Sequence, residues 1–244
     1  TFYILVKSFL RNIIPFSLLF RIEPILRTIF YQFYKGNNYK CNICDKKNRE
    51  FIDIRGDKVC PKCGSSQRDR RLYSLIEALI KDDLKILDFS PSRSLYRKLK
   101  NIPHIDYLAT DLSNDFISDI SYDIKNIKTE NKFNLIICYH ILEHIDDDLR
   151  AMSELYSVLE FGGKCIIQTP FKLGDIYEDT SITSDEDKLR HFGQKDHLRI
   201  YSIDGLVERL EDCGFNVELN EFVENENNYY GYKKSEHVLI CNKS

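Results

Sequence analysis

Two sets of residues have the types and spacing to do chemistry. The first is Cys41-x2-Cys44, fifteen residues, then Cys60-x2-Cys63. Thiolates two residues apart grip one face of a tetrahedral ion, and a second such pair closes the site, so all four read as ligands of a structural zinc with no open position. Gly64 in "CPKCGS" frees the turn to aim backbone amides at sulfur. The second set begins at "KILDFSPSRSL", residues 85–95, an apolar run ending at Asp88 and Phe89 and followed by a short turn. Ser90, Ser92 and Ser94 fall where a nucleotide-binding loop carries Gly-x-Gly-x-Gly. Serine is small but disfavours positive φ, and Pro91 removes an amide donor. Asp111 follows about 20 residues later, where a carboxylate accepts ribose hydroxyls. Further on, Asp196, His197 and Arg199 crowd a segment between Phe171 and Arg199. A histidine there suits a general base or a hydrogen-bond partner to an acceptor, and aspartate and arginine can orient a hydroxyl-bearing or anionic molecule.

The elements that position these residues alternate. "LKILDFS", "IDYLATDL", "ISYDI", "FNLIICYH" and "KCIIQTP" read as strands. Helical patterns stand between several of them, over 92–101 and in "DDLRAMSELYSVLE", after a helix that starts near Asp69. This order implies a parallel sheet covered by helices, with ligands beyond the carboxyl ends of its strands. Asp88, Asp111, Asp123 and "YHILEHI" all fall at such ends. After the helix "SIDGLVERLEDCG", two strands with no helix between them, "FNVELNEF" and "HVLICNK", suggest an antiparallel hairpin at the sheet edge. The stretch from Pro170 to Ile200 is too long for an ordinary connection.

Residues 84–244 resemble the class I S-adenosylmethionine-dependent methyltransferases. The resemblance is carried by "FNLIICYHILEHIDDDLRAMSELYSVLEFGGKCIIQTP", with its Phe-Asn strand, Leu-Glu-His turn, Glu-Leu-Tyr-x-Val-Leu helix and Gly-Gly before the next strand. It implies an α/β fold with a seven-stranded Rossmann-like methyltransferase sheet whose last strand is antiparallel. It also implies that Asp111 holds the ribose, that Asp123 contacts the adenine amino group, and that Tyr139 and His140 lie along the cofactor. With Asp88, Ser90 and Ser92 of the opening turn, these form the expected cofactor set. His197, His140 and Asp196 are the expected catalytic groups. "CPKCGSSQRDRR" and "RHFGQKDHLRIYS" resemble a subset of bacterial methyltransferases carrying an N-terminal zinc ribbon. The expected organisation is amphipathic helices over 1–40, a four-cysteine zinc ribbon over 41–68 and the methyltransferase domain over 69–244.

Composition narrows the partners. The chain has 244 residues, 43% hydrophobic and 30% charged, with a net charge of −3, so no global electrostatic case exists for nucleic acid. A small-molecule or glycan-like acceptor is expected, with S-adenosylmethionine and structural zinc as cofactors. One alternative is an RNA methyltransferase that docks through the ribbon and Arg68, Arg70 and Arg71. Another is a non-catalytic, zinc-stapled scaffold whose loop has lost its ligand. Eight cysteines, four clustered and four scattered, fit a reducing compartment such as the cytoplasm. Cys138, Cys165, Cys213 and Cys241 read as small buried hydrophobes. Phe2, Leu5, Val6, Phe9, Leu10 and Ile13 recur at helical spacing, as do Ile22, Ile25, Leu26, Ile29 and Phe33. Such basic amphipathic helices pack on a protein core or lie on a membrane surface. Charges and prolines interrupt them, so no apolar segment reaches bilayer length, and no small-residue cleavage site marks a secretory signal. The chain starts at Thr1 rather than Met, as a fragment or trimmed chain would.

Overall fold

The computed structural model describes residues 16–113, 116–224 and 227–244. The helical spacing from Phe2 to Ile13 lies outside them. The chain divides into two compact units, one made of residues 1–80, 92–101 and 223–234, the other of 81–91, 102–222 and 235–244. This division differs from a plain cut at residue 69. Chain segments 92–101 and 223–234 belong with the N-terminal residues rather than with the sheet.

In the first unit, helix α1 (Phe16–Tyr31) leads to the antiparallel pairs β1 (Lys35–Lys40) with β2 (Lys47–Asn48) and β3 (Ile52–Ile54) with β4 (Asp57–Val59). Helix α2 (Gln67–Glu77) opens on a capping box, in which the Ser66 side chain accepts from the Asp69 amide and the Asp69 carboxylate accepts from the Ser66 amide. Helix α3 (Arg93–Lys100) is capped by Ser92, whose hydroxyl accepts from the Leu95 amide. Glu23 on α1 takes Arg27, Arg93 and Arg97 at 2.9–3.1 Å. On the same helix Ile25, Ile29 and, just beyond it, Phe33 are exposed. Among the described residues no helix is long and apolar enough to cross a membrane.

The second unit is built on a six-stranded sheet. Its strands are β5 (Leu84–Phe89), β6 (Ile105–Thr110), β7 (Phe133–Tyr139), β8 (Leu159–Gln168), β12 (Asn216–Val223) and β13 (Ser235–Asn242), in the order β12-β13-β8-β7-β5-β6. β6, β5, β7 and β8 are parallel, and β13 runs antiparallel to β8 with Ile240 opposite Ile166. Parallel strands covered on both faces need continuous apolar runs, and Leu135 to Cys138 are all buried. Helices α4 (Asp148–Val158) and α6 (Ile203–Asp212) supply Met152, Leu155, Leu206 and Leu210 to the core beneath β7 and β8. Each such fully buried aliphatic side chain contributes about 1.5–3 kcal/mol relative to exposure. Cys138, Cys165 and Cys241 sit in the strands, buried, as expected of small hydrophobes, and Cys213 caps α6 half-buried.

Two expectations come out differently. "ISYDI" forms no seventh strand; it leaves isolated bridges, Thr110 with Ile120 and Asp123 with Asn126. Side chains take the amides a ladder would use. Tyr122 N donates to Thr110 Oγ1, and Lys125 N donates to Asp123 Oδ1. The connection after Pro170, too long for a plain loop, carries elements absent from the sequence reading. It holds β9 (Phe171–Lys172), β10 (Tyr177–Glu178), α5 (Asp185–Phe192) and β11 (Arg199–Ser202), and β11 pairs with both short strands in a three-stranded sheet. Ser184 caps α5, and Gly193 ends it in the left-handed region at φ 85°.

Candidate active site

β5 lies between β6 on one side and β7 on the other, so successive strands depart in opposite directions from it. The crevice at this reversal, beyond the carboxyl ends, is where an open parallel sheet receives a ligand. The strand ends are in register there, with Phe89 opposite Thr110 and Tyr139 opposite Gln168.

Ser90 directly follows β5 at φ 52° and His140 directly follows β7 at φ 59°. Both stand in the left-handed region, which costs a non-glycine residue about 1–2 kcal/mol and which glycine enters freely. The turn thus takes the backbone shape a glycine would give it, with serine in place. The Ser90 amide donates to the Thr110 carbonyl at 2.8 Å, and the His140 amide donates to the Gln168 carbonyl at 2.7 Å. Each bond ties the strained residue to the neighbouring strand end. Strain held in place by surrounding structure clusters at ligand sites.

The expected cofactor residues fall as follows. Asp111 is 3% exposed, and its carboxylate accepts from Ser90 Oγ at 2.6 Å and Ser113 Oγ at 3.0 Å. Ser90 therefore spends its hydroxyl on the carboxylate assigned to ribose. Asp88 is buried and accepts from the Tyr107 hydroxyl at 2.9 Å. Asp123 holds its own turn through Lys125 N at 2.9 Å. The Tyr139 hydroxyl donates to Glu236 at 3.3 Å. Ser92 belongs to the other compact unit, where its hydroxyl caps α3 and meets Ser94 Oγ at 3.1 Å.

The catalytic candidates divide. His140 Nδ1 lies 3.1 Å from Glu143 Oε1. Burial pushes the Glu143 carboxyl up, but the hydrogen bond and charge of His140 outweigh it and hold the group below its ordinary pKa. Asp196 is exposed and approaches His144 Nδ1 through its backbone carbonyl at 3.2 Å and its carboxylate at 3.3 Å. His197 is only 2% exposed, with Nδ1 3.1 Å from the Phe192 carbonyl. Burial, then the neighbouring His144, lowers its pKa. Arg199, expected to help orient an acceptor, is committed to the protein's own groups. It is buried, pairs with Glu178 at 2.8 Å, and donates to the carbonyls of Leu142, Ile145 and Asp146. Its work is to hold the turn that follows β7. Tyr201 and Arg209 complete this support by donating to the buried Asp148 carboxylate at 2.5 and 2.6 Å.

In the first unit the four cysteine sulfurs come together, all within 4.8 Å of one another and none in a disulfide. Cys41 and Cys63 are 3.6 Å apart, and Cys44 and Cys60 are 3.8 Å apart. Four thiolates at the usual zinc–sulfur bond length of about 2.3 Å lie roughly 3.8 Å apart, so the set fits a tetrahedral ion. Arg70, one of the three arginines of the alternative RNA-docking reading, is fully buried. It donates to the carbonyls of Lys58, Ser65, Tyr230 and Gly231 at 2.6–2.8 Å. Arg71 stacks on the Tyr232 ring at 3.8 Å, and Arg68 remains exposed.

A family profile described as a methyltransferase domain matches residues 65–220, well over half the chain, and the chain belongs to that family. A malonyl-[acyl-carrier protein] O-methyltransferase of Ilyobacter polytropus is 28% identical over 88 residues, which is 35% of this chain. The match spans 28% of that relative's own length. An S-adenosylmethionine-dependent methyltransferase of Archaeoglobus fulgidus shares the fold at TM-score 0.52 and 17% identity, over 75% of this chain and 96% of that one. A Haemonchus contortus phosphoethanolamine N-methyltransferase, solved with S-adenosyl-L-methionine, does so at TM-score 0.51 and 13% identity, over 71% of this chain and 52% of that one.

Two features of this arrangement escape sequence reading. Glu143 and His144 resemble helix-opening residues, and nothing local shows that His197, 53 positions after His144, joins them. Arg70 looks like one of three surface cations. Its place after the second cysteine pair, beside a capping box, is the only signal that it folds inward.

Proposed function

We propose that the protein transfers a methyl group from S-adenosylmethionine to a small-molecule or glycan-like acceptor bearing a hydroxyl. When bound, the cofactor supplies an electrophilic methyl on a sulfonium. Asp111 would hold the ribose, Asp123 the adenine amino group, and Tyr139 and His140 the flank of the cofactor, with the Ser90 turn and buried Asp88 shaping the floor. The cofactor carries no phosphate at this turn, so the chain needs no glycine-rich amide cradle there. Methyl transfer is an in-line displacement, and the chain's main task is to align the acceptor and exclude water. His140, at the strained end of β7, is the group placed to hold or take the acceptor's proton. Asp196 would position the acceptor, and buried His197 would act by fixing the turn that carries Glu143.

The choice among acceptors rests on one observation, the commitment of Arg70 to four carbonyls in the first unit. With Arg71 stacked on Tyr232, the basic run after the ribbon loses most of its phosphate-docking capacity, and the net charge of −3 adds none. We further propose that Cys41, Cys44, Cys60 and Cys63 hold one structural zinc. The test is transfer of labelled methyl groups into cell extract separated into RNA, protein, glycan and small metabolites. Label in the glycan or small-metabolite fraction is expected, and His140→Ala should cut turnover at saturating cofactor by about 10²-fold or more. Label confined to RNA would overturn the acceptor assignment.

A further inference from the structure

The turn after β7 and the loop before β11 bring together a second set of ligand-type groups. A carboxylate oxygen of Glu143 and one ring nitrogen each of His144 and His197 lie within 4.8 Å of one another. The two imidazoles meet edge to face, with centroids 4.7 Å apart at 86°. Glu143 is 1% exposed and His197 2%, and Glu143 Oε2 and His197 Nε2 are both buried with no hydrogen-bond partner. An unmet buried polar atom costs about 1–3 kcal/mol, and two of the three clustered side chains carry one.

The remaining polar atoms of the set are occupied in a particular way. His144 Nδ1 meets the carbonyl and carboxylate of Asp196, and His197 Nδ1 meets the Phe192 carbonyl. Glu143 Oε1 is taken by His140 Nδ1. Glu143 and His197 are thus each oriented by one atom and keep the other unmet, as metal-binding histidines and carboxylates do before loading, and His144 is oriented through Nδ1. The backbone is fixed too. Leu198 N donates to the Glu143 carbonyl at 2.8 Å, and Arg199 holds the carbonyls on either side of His144.

We propose that Glu143, His144 and His197 form a site for a divalent cation of the manganese-to-zinc series. Two imidazoles and a carboxylate suit this series better than magnesium or calcium, which take oxygen ligands, or copper(I), which takes sulfur. Ligands on such an ion sit roughly 3–3.5 Å apart at bond lengths of about 2.0–2.2 Å, so modest side-chain rotations close the site. Three protein ligands leave coordination positions open, unlike the four-cysteine set. Those positions would take oxygen donors, and if the proposed function holds, an acceptor hydroxyl is one. Binding of the ion itself does not rest on that reading.

The experiment uses the full chain with its cysteine cluster loaded with zinc, titrated with Mn²⁺ and followed by loss of the free-ion electron paramagnetic resonance signal. One Mn²⁺ per chain is expected to bind, and Glu143→Gln or His144→Ala should weaken it about tenfold or more. Glu143→Gln preserves side-chain volume and His144 is partly exposed, so both variants keep the fold testable. In parallel, Co²⁺ should give the weak absorption of a nitrogen–oxygen site beside zinc retained on sulfur. No second equivalent up to about 1 mM, or binding unchanged in both variants, would overturn the site. S-adenosylmethionine binding in the same samples separates the readings: cofactor bound without a second metal defeats this inference alone.

Discussion

The four-cysteine module and the carboxyl ends of the parallel strands are built on opposite principles. In the module the charged groups and sulfurs are committed to one another, although Asn42 Oδ1 and Asn48 Oδ1 stay buried without a partner. Four sulfurs stand near tetrahedral spacing, Arg70 fills four carbonyls, and Glu23 gathers three arginines. At the strand ends Ser90 and His140 are strained, and Glu143 and His197 keep buried atoms unmet. Four sulfurs that all face one point leave no open position there for a further ligand. Strain and unmet atoms in a crevice are what a ligand site retains before it is filled.

If the module is a closed metal site, breaking it should give the largest effect. Cys60→Ser should lose zinc and destabilise the first unit by several kcal/mol, because structural zinc binding is also folding energy. Elemental analysis and chemical unfolding measure it; S-adenosylmethionine affinity should change far less.

The next effect is titration of Glu23. Burial pushes its carboxyl up, but Arg27 first, and then Arg93, pull it down to about 2 from 4.5. A folded-state pKa below the unfolded value gives stability that is fully present above pH 4.5 and lost as pH falls toward 2. About 3 kcal/mol should disappear across that window, and Glu23→Gln should remove this component of the pH dependence. A variant with the wild-type acid profile would contradict the assignment.

Ser90 sharpens the other side. Ser90→Ala keeps the left-handed strain and removes a hydrogen bond to a buried carboxylate, so it should cost about 1–2 kcal/mol. Ser90→Gly loses the same bond, but its relief of about 1–2 kcal/mol of strain exceeds the roughly 0.4–1 kcal/mol cost of a freer unfolded chain, leaving it more stable than the alanine variant by about 0.5–1 kcal/mol. Thermal unfolding compares the two, and the reverse order would show that the turn is not held as a glycine turn.

What the sequence discloses follows the distance between partners. The cysteine cluster is legible because each pair is local, two residues apart and on one knuckle. The strand ends are legible because alternating apolar runs fix where β5, β6 and β7 stop, and Asp88 and Asp111 stand at the ends of β5 and β6. Sequence reasoning treats serine as unfit for positive φ at residue 90, yet the Ser90–Asp111 and Ser90–Thr110 bonds hold it there. Those bonds join residues about 20 positions apart and leave no local trace. The seventh strand fails for a similar reason, since Thr110 and Asp123 side chains intercept its amides. Glu143, His144 and His197 meet only because β11 pairs with β9 and β10, and Arg199 ties that strand to the turn.

The central claim is that the strand-end crevice still binds S-adenosylmethionine although its glycines are serines. Isothermal calorimetry with the full chain and its Asp111→Ala variant tests it most directly. The account predicts wild-type binding, weakened by about 1–3 kcal/mol in the variant, the cost of losing a charged hydrogen-bond acceptor. No binding by the wild-type chain at millimolar cofactor, or equal affinity in a folded Asp111→Ala protein, would contradict it.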